Sequence, residues 1–251
     1  MAKRNRIILL SPHPDDAVWS LGGVIPLLQL STDVLIATLF DGDPASESLA
    51  RSKSRSERWR LFGDTAARRD EDSKAVRRLG CKHLSLGWVD AALRLRPDGS
   101  FEQASLDTLL DRSEPGVEAA LLDQFERQLG QLILPNDQIL APLGFGDHAD
   151  HRITHKLARR LDRTIGYYAE FPYYLPDREQ DLIDFITSLD LSLKPLCLTC
   201  DWLSWVEASG CYRSQIIRMF GTHHLFIEAL TAYANHGGTV PHCRIWSTAS
   251  R

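Results

Sequence analysis

The sequence predicts one α/β domain, a mostly parallel sheet flanked by helices, and three observations carry that expectation. Two compact apolar runs, Arg6 to Leu10 (RIILL) and Asp33 to Phe40 (DVLIATLF), have the continuous, β-branched character of strands buried on both faces. Ala17 to Leu30 between them has a helical pattern, so the three make a βαβ unit. Its right-handed crossover places the Ser11 to Asp16 loop at the carboxyl end of the first strand. Finally, 251 residues that are 43% hydrophobic can bury one core of ordinary size.

The alternation continues along the chain. Arg68 to Leu79 carries helical spacing in Ala75, Val76 and Leu79 and stops at Gly80, after which Lys82 to Leu86 can form a third strand. Arg94 to Glu102, with a turn signal at Pro97-Asp98-Gly99, is an excursion on the substrate side. Gly116 to Leu134 is a long amphipathic helix closed by Pro135-Asn136-Asp137, followed by a short strand, Gln138 to Leu143. Thr164 to Phe171 is strand-like, Trp205 to Phe220 helical, and Cys243 to Trp246 a last strand.

Composition excludes several classes. The formal net charge is −4, and the basic stretch Arg51 to Arg60 (RSKSRSERWR) reads as a solvated loop, so no nucleic-acid or membrane surface is expected. The N-terminal apolar run is too short for a signal-peptide core and no run of about 18 apolar residues occurs, which predicts a soluble cytoplasmic protein. The five cysteines are expected as reduced thiols. Cys197-Leu-Thr-Cys200 has half the spacing of a zinc site without a second close pair, so buried free thiols are expected there.

Two segments concentrate groups that bind metal or move protons: His13-Pro14-Asp15-Asp16 and Asp147-His148-Ala149-Asp150-His151. Each directly follows a predicted strand, and loops at the carboxyl ends of such strands converge on one crevice. Adjacent Asp15 and Asp16 repel each other unless a cation sits beside them. His148 and His151 share a face if a helix starts there, with Asp147 available as its N-cap. His155 lies about 6 Å farther along at ~1.5 Å per residue, away from the acidic pair.

These motifs, with Gly22-Gly23 after the first, resemble those of the LmbE-like (PIG-L) N-deacetylases. Arg68-x-x-Glu71, Ala75, Leu79-Gly80, Asp90 and Tyr212-Arg213-Ser214-Gln215 look like further family positions, so the resemblance reaches about residue 220. It implies a Rossmann-like α/β sandwich and zinc held by His13, Asp16 and His151. It further implies Asp15 as general base, His148 as oxyanion stabiliser or acid, and Arg68 and Asp90 on sugar hydroxyls. Three protein ligands leave zinc an open position for water, and Asp150 is expected to partner the protonated His148 ring. Ferrous iron would suit the same ligands. The implied activity is removal of an acyl group, acetyl foremost, from a small N-acylated amino sugar; the same site would serve another amide or ester. Many members carry Glu where this chain has Ala17, and some carry Tyr where it has Gly146. The last 30 or so residues, with His223, His224, His236 and His242, match no part of the pattern, and those histidines read as surface or packing residues.

Overall fold

In the computed structural model, residues 5–43, 64–95, 110, 117–161, 163–189 and 191–248 are described. The basic stretch 51–60 and the Pro97-Asp98-Gly99 turn lie outside the described residues. Strands β1 (Arg6–Ser11) and β2 (Asp33–Thr38) bury every residue but the first, as their apolar runs require. β1 pairs in parallel with β2 on one side and with β4 (Asp137–Pro142) on the other. β3 (Lys82–Ser85) extends the parallel sheet beyond β2, and β5 (Thr164–Tyr168) extends it beyond β4. Two more strands, β6 (Leu193–Thr199) and β7 (His242–Thr248), complete a seven-stranded sheet of order β3-β2-β1-β4-β5-β7-β6, with β7 antiparallel to both neighbours. The chain reverses direction of winding between β1 and β4, and a crevice opens there at the strands' carboxyl ends.

The expected helix over 17–30 is two short ones, α1 (Asp16–Leu21) and α2 (Ile25–Leu28). The break has a tertiary cause. The Trp205 indole lies against Gly22 and Gly23, where added Cβ atoms would come within 2.6 Å of its ring, and its Nε1 donates to the Val18 and Trp19 carbonyls at 3.0 Å. The Val18 carbonyl also accepts from the Gly22 amide at 2.8 Å, and the Trp19 carbonyl is the one a continuing helix would have used next. α3 (Thr65–Arg78) is capped by the Asp64 carboxylate and ends at Gly80 in the left-handed region, as its sequence signals. α4 (Val117–Leu132) and α5 (Ala149–Arg160) flank β4 in sequence.

The expected helix over 205–220 is likewise divided, into α7 (Trp202–Ser209) and α8 (Arg213–Phe220), after α6 (Glu179–Ser188). Tyr212, between α7 and α8, is fully buried and donates to Asp72 of α3 at 2.6 Å. The C-terminal segment is core: α9 (His223–Asn235) and β7 supply Phe226, Leu230, Tyr233, Ile245 and Trp246 to the main apolar cluster. β6 escapes sequence detection because it is mostly exposed and contains Pro195. The cysteines are free, but only Cys243 is buried; Cys197 is exposed. No described helix is long and apolar enough to cross a membrane.

Candidate metal and proton-transfer site

The loop after β1 is cross-tied before it reaches its functional groups. Ser11 Oγ donates to the His13 carbonyl at 2.6 Å and accepts from the Ala17 amide at 3.0 Å. Asp15 stands at the N-cap of α1 with φ +109°, a conformation rarely open to a side-chain-bearing residue, and does not cap the helix. That strain leaves its carboxylate facing Arg68, 3.6 Å away. Asp16 Oδ2 accepts from the His13 amide at 2.8 Å.

The loop after β4 reaches the same point through Gly144 and Gly146, both at positive φ. Asp147, expected as the cap of α5, is itself at φ +64°. The cap is His148, whose Nδ1 accepts from the Asp150 amide at 3.2 Å. α5 therefore begins with its positive dipole end at the crevice and turns the buried His151 inward.

Two imidazoles are each backed by a carboxylate. His13 Nε2 lies 3.0 Å from Asp150 Oδ2, and His151 Nδ1 lies 3.0 Å from Glu170 Oε1. Their other nitrogens, His13 Nδ1 and His151 Nε2, stand 3.3 and 3.2 Å from Asp16 Oδ2. His151 Nε2 is buried and makes no hydrogen bond, which leaves its lone pair free to ligate a cation. Ring nitrogens of His13, His148 and His151 also lie within 4.8 Å of one another. Carboxylate backing, the usual mark of a metal-binding histidine, belongs to His13 and His151 and not to His148. The donor set His13, Asp16 and His151 fits a divalent cation. A second grouping, His13 with Asp90 and Asp150, uses the other side of the His13 ring.

Asp150 thus corrects one expectation. Its carboxylate orients His13, accepts from the Ala91 amide at 2.8 Å and pairs with Arg94 at 2.6 Å, while only its backbone amide meets the His148 ring. Glu170, which sequence reasoning missed, is fully buried just beyond β5 and also accepts from the Gly144 amide at 2.8 Å. An acidic residue closing an apolar strand (TIGYYAEF) was its available signal.

The neighbouring groups differ in proton affinity. Burial pushes Asp15 up to about 8, with Asp16 adding to the shift and Arg68 opposing it. Asp16 moves the other way: burial is outweighed by His151 and His13, which hold it well below the carboxylate range. Burial lowers His148 well below the usual imidazole value, and His13 and His151 reinforce this. Burial thus favours the neutral ring over the imidazolium expected from sequence. With Nδ1 accepting from a backbone amide, its hydrogen sits on Nε2, a ready donor.

A cavity of about 70 Å³ opens onto these groups. This is far below the ~300–1,000 Å³ of a site that encloses a drug-sized ligand. It has room for an acyl-sized group. Arg68 and Asp90 lie at it together, 3.6 Å apart. Trp19, Tyr173, Gln215 and Met219 complete the walls and were not anticipated. Arg68 is held there by α3, whose Glu71 accepts from the Ser214 amide and hydroxyl at 2.9 and 2.6 Å, while Asp72 takes the Tyr212 hydroxyl. The short sequence matches near 71 and 212–215 are therefore two sides of one contact, and α8 carries Gln215 to the cavity through it. His155 lies apart from the cluster, with Nδ1 3.1 Å from the Pro142 carbonyl. Neither candidate metal grouping among the described residues includes His155, His223, His224, His236 or His242.

Comparison with known proteins agrees with this picture. A family model described as PIG-L: GlcNAc-PI de-N-acetylase matches residues 8–161. A 2'-N-acetylparomamine deacetylase of Streptomyces fradiae is 29% identical over 180 residues, 68% of this chain and 58% of its own length, so the chain spans under two thirds of that relative. Among solved structures, the zinc-inhibited form of teicoplanin deacetylase Orf2 superposes with a TM-score of 0.74 at 20% identity, covering 98% of both chains. The A40926 pseudoaglycone deacetylase Dbv21 superposes with a TM-score of 0.66 at 23% identity, covering 99% of this chain and 100% of its own. At these identities the structural matches establish the shared fold.

Proposed function

The chain belongs to the PIG-L family, and from that membership and its site we propose that it is a metal-dependent amide hydrolase that removes an acetyl-sized acyl group from an N-acylated amino sugar. One observation carries the reading: His13 and His151, each backed by a buried carboxylate, turn their free nitrogens to Asp16, with Asp15 beside them outside the ligand set. His13, Asp16 and His151 would hold the ion, with zinc the first choice and ferrous iron the second. Bound there, it would polarise the acyl carbonyl and lower the pKa of water.

Asp15 takes the proton of the attacking water and returns it to the leaving amine. A buried carboxyl beside the ligand set, with raised proton affinity, can both take and return a proton. Its strained backbone keeps the carboxylate out of the N-cap hydrogen bond that would otherwise engage it. His148 donates from Nε2 to the carbonyl oxygen as charge develops, acting as a neutral donor. Asp150 and Glu170 are positioning residues that fix the rings of His13 and His151.

The small cavity suits an acetyl group, leaving the sugar at its mouth, where the Arg68 guanidinium and Asp90 carboxylate can engage vicinal hydroxyls. The 2'-N-acetylparomamine deacetylase is a relative named for removing acetyl from an amino sugar. The test is carboxylate release from a panel of N-acetylated amino sugars and of larger acyl amides, with metal added in stoichiometric amount. Release is expected from the sugars, with Asp15→Asn losing at least ~10²-fold in kcat while keeping its metal. Full turnover by Asp15→Asn would refute the assignment of the base, and a preference for larger acyl amides would refute the substrate class.

A further inference from the structure

Among the described residues, Tyr173 is the cavity-wall aromatic that reaches the imidazoles of His151 and His148. Its ring centroid lies 5.0 Å from that of His151 and 6.4 Å from that of His148, edge-on to both. Its position depends on a bare backbone opposite. Gly146 is at φ +98°, and a Cβ there would come within 2.4 Å of Tyr173 Cδ1 and 2.7 Å of its Cβ and Cγ. Glycine at 146 thus does two things: it makes the turn that delivers His148, and it clears the space the phenol ring occupies.

The ring is anchored at its backbone end, where the Tyr173 carbonyl accepts from Arg178 at 2.9 Å and the next residue's amide closes a turn on Glu170 at 2.9 Å. The hydroxyl, by contrast, has no hydrogen-bond partner among the described residues. Three fully buried tyrosines spend theirs on structure: Tyr168 on the Leu10 carbonyl, Tyr212 on Asp72 and Tyr233 on the Ala169 carbonyl. A phenol held at a catalytic cavity with its donor unspent is available to a ligand.

We propose that Tyr173 is a catalytic residue: its hydroxyl donates a hydrogen bond to the carbonyl oxygen of the scissile amide, sharing with His148 Nε2–H the negative charge that develops there. No proton is transferred: burial, reinforced by Asp16 and Asp15, raises the phenol well above its ordinary value, so it keeps its proton. The inference rests on the amide-hydrolase reading above and adds a second protein donor to it.

Tyr173→Phe keeps the ring against Gly146 and His151 and removes only the hydroxyl. It should lower kcat ~10²-fold, the usual effect of deleting one oxyanion donor, with KM within about twofold and bound metal unchanged. Wild-type kcat in that variant overturns the proposal, as does a rise in KM with kcat intact. A second measurement does not depend on turnover: calorimetric binding of acetate, the carboxylate product, to the metal-loaded protein should be ~10-fold weaker in Tyr173→Phe. If the wild type releases no carboxylate from any amide, the proposed function falls, and acetate affinity decides the role of Tyr173; equal affinities overturn it.

Discussion

Replacement of Glu170 separates orientation of a metal ligand from general stability, because two substitutions remove different parts of what it does. Its Oε1 lies 3.0 Å from His151 Nδ1 and accepts the Gly144 amide at 2.8 Å, in a fully buried position. Glu170→Ala leaves the Gly144 N–H without an acceptor, costing about 1–3 kcal/mol of apoprotein stability, and frees the His151 ring. Loss of such a partner weakens metal binding typically 10–100-fold, or about 1.4–2.7 kcal/mol. Glu170→Gln keeps a side-chain oxygen for the Gly144 amide and loses only the charge. Its apoprotein should therefore stay within about 1 kcal/mol of wild type, while zinc affinity still falls ~10-fold. Urea unfolding in the presence of chelator reads the first quantity, and competition with a chromophoric chelator for zinc reads the second. Wild-type zinc affinity in both variants would refute the view that Glu170 sets the His151 ring, and with it the ligand geometry.

Two further outcomes follow from packing and burial away from the metal ligands. Gly23→Ala should destabilise by about 1–3 kcal/mol in denaturant unfolding, because its Cβ would meet Trp205 Cε3 at 2.6 Å and Cys200 Cβ at 2.7 Å. Trp205 cannot yield without breaking its bonds to Val18 and Trp19, and an unchanged midpoint would contradict that rigidity. Burial lowers His155 to about 4, so the folded state holds it neutral while the unfolded chain protonates it near 6.5. The unfolded state then binds more protons between those values. The His155 contribution is complete above about pH 6.5 and is lost as pH falls toward 4, roughly 3 kcal/mol in all. His155→Gln should flatten that part of the stability profile relative to wild type, and parallel profiles would refute the assignment.

The parallel half of the sheet was legible because its signal is local. RIILL and DVLIATLF can bury both faces only as interior strands, and Gly80 ends α3 by its own backbone preference. The two polar clusters were legible for the same reason: each follows an apolar strand, and strand ends beside a switch point converge. Elements whose form depends on distant partners were not. The break at Gly22-Gly23 requires Trp205, the break at Tyr212 requires Asp72, and β6 exists because β7 pairs with it along an exposed edge.

The same division runs through the site. The sequence supplied the two polar clusters by residue type and spacing, and its resemblance to a known family implied His13, Asp16 and His151 as ligands with Asp15 and His148 beside them. Tertiary structure decided the partnerships. Asp150 backs His13 rather than His148, Glu170 arrives from β5 to back His151, and Tyr173 fills the space Gly146 leaves open. Hydrogen bonds and desolvation depend on distances between chain-remote groups, and only the folded chain fixes those distances.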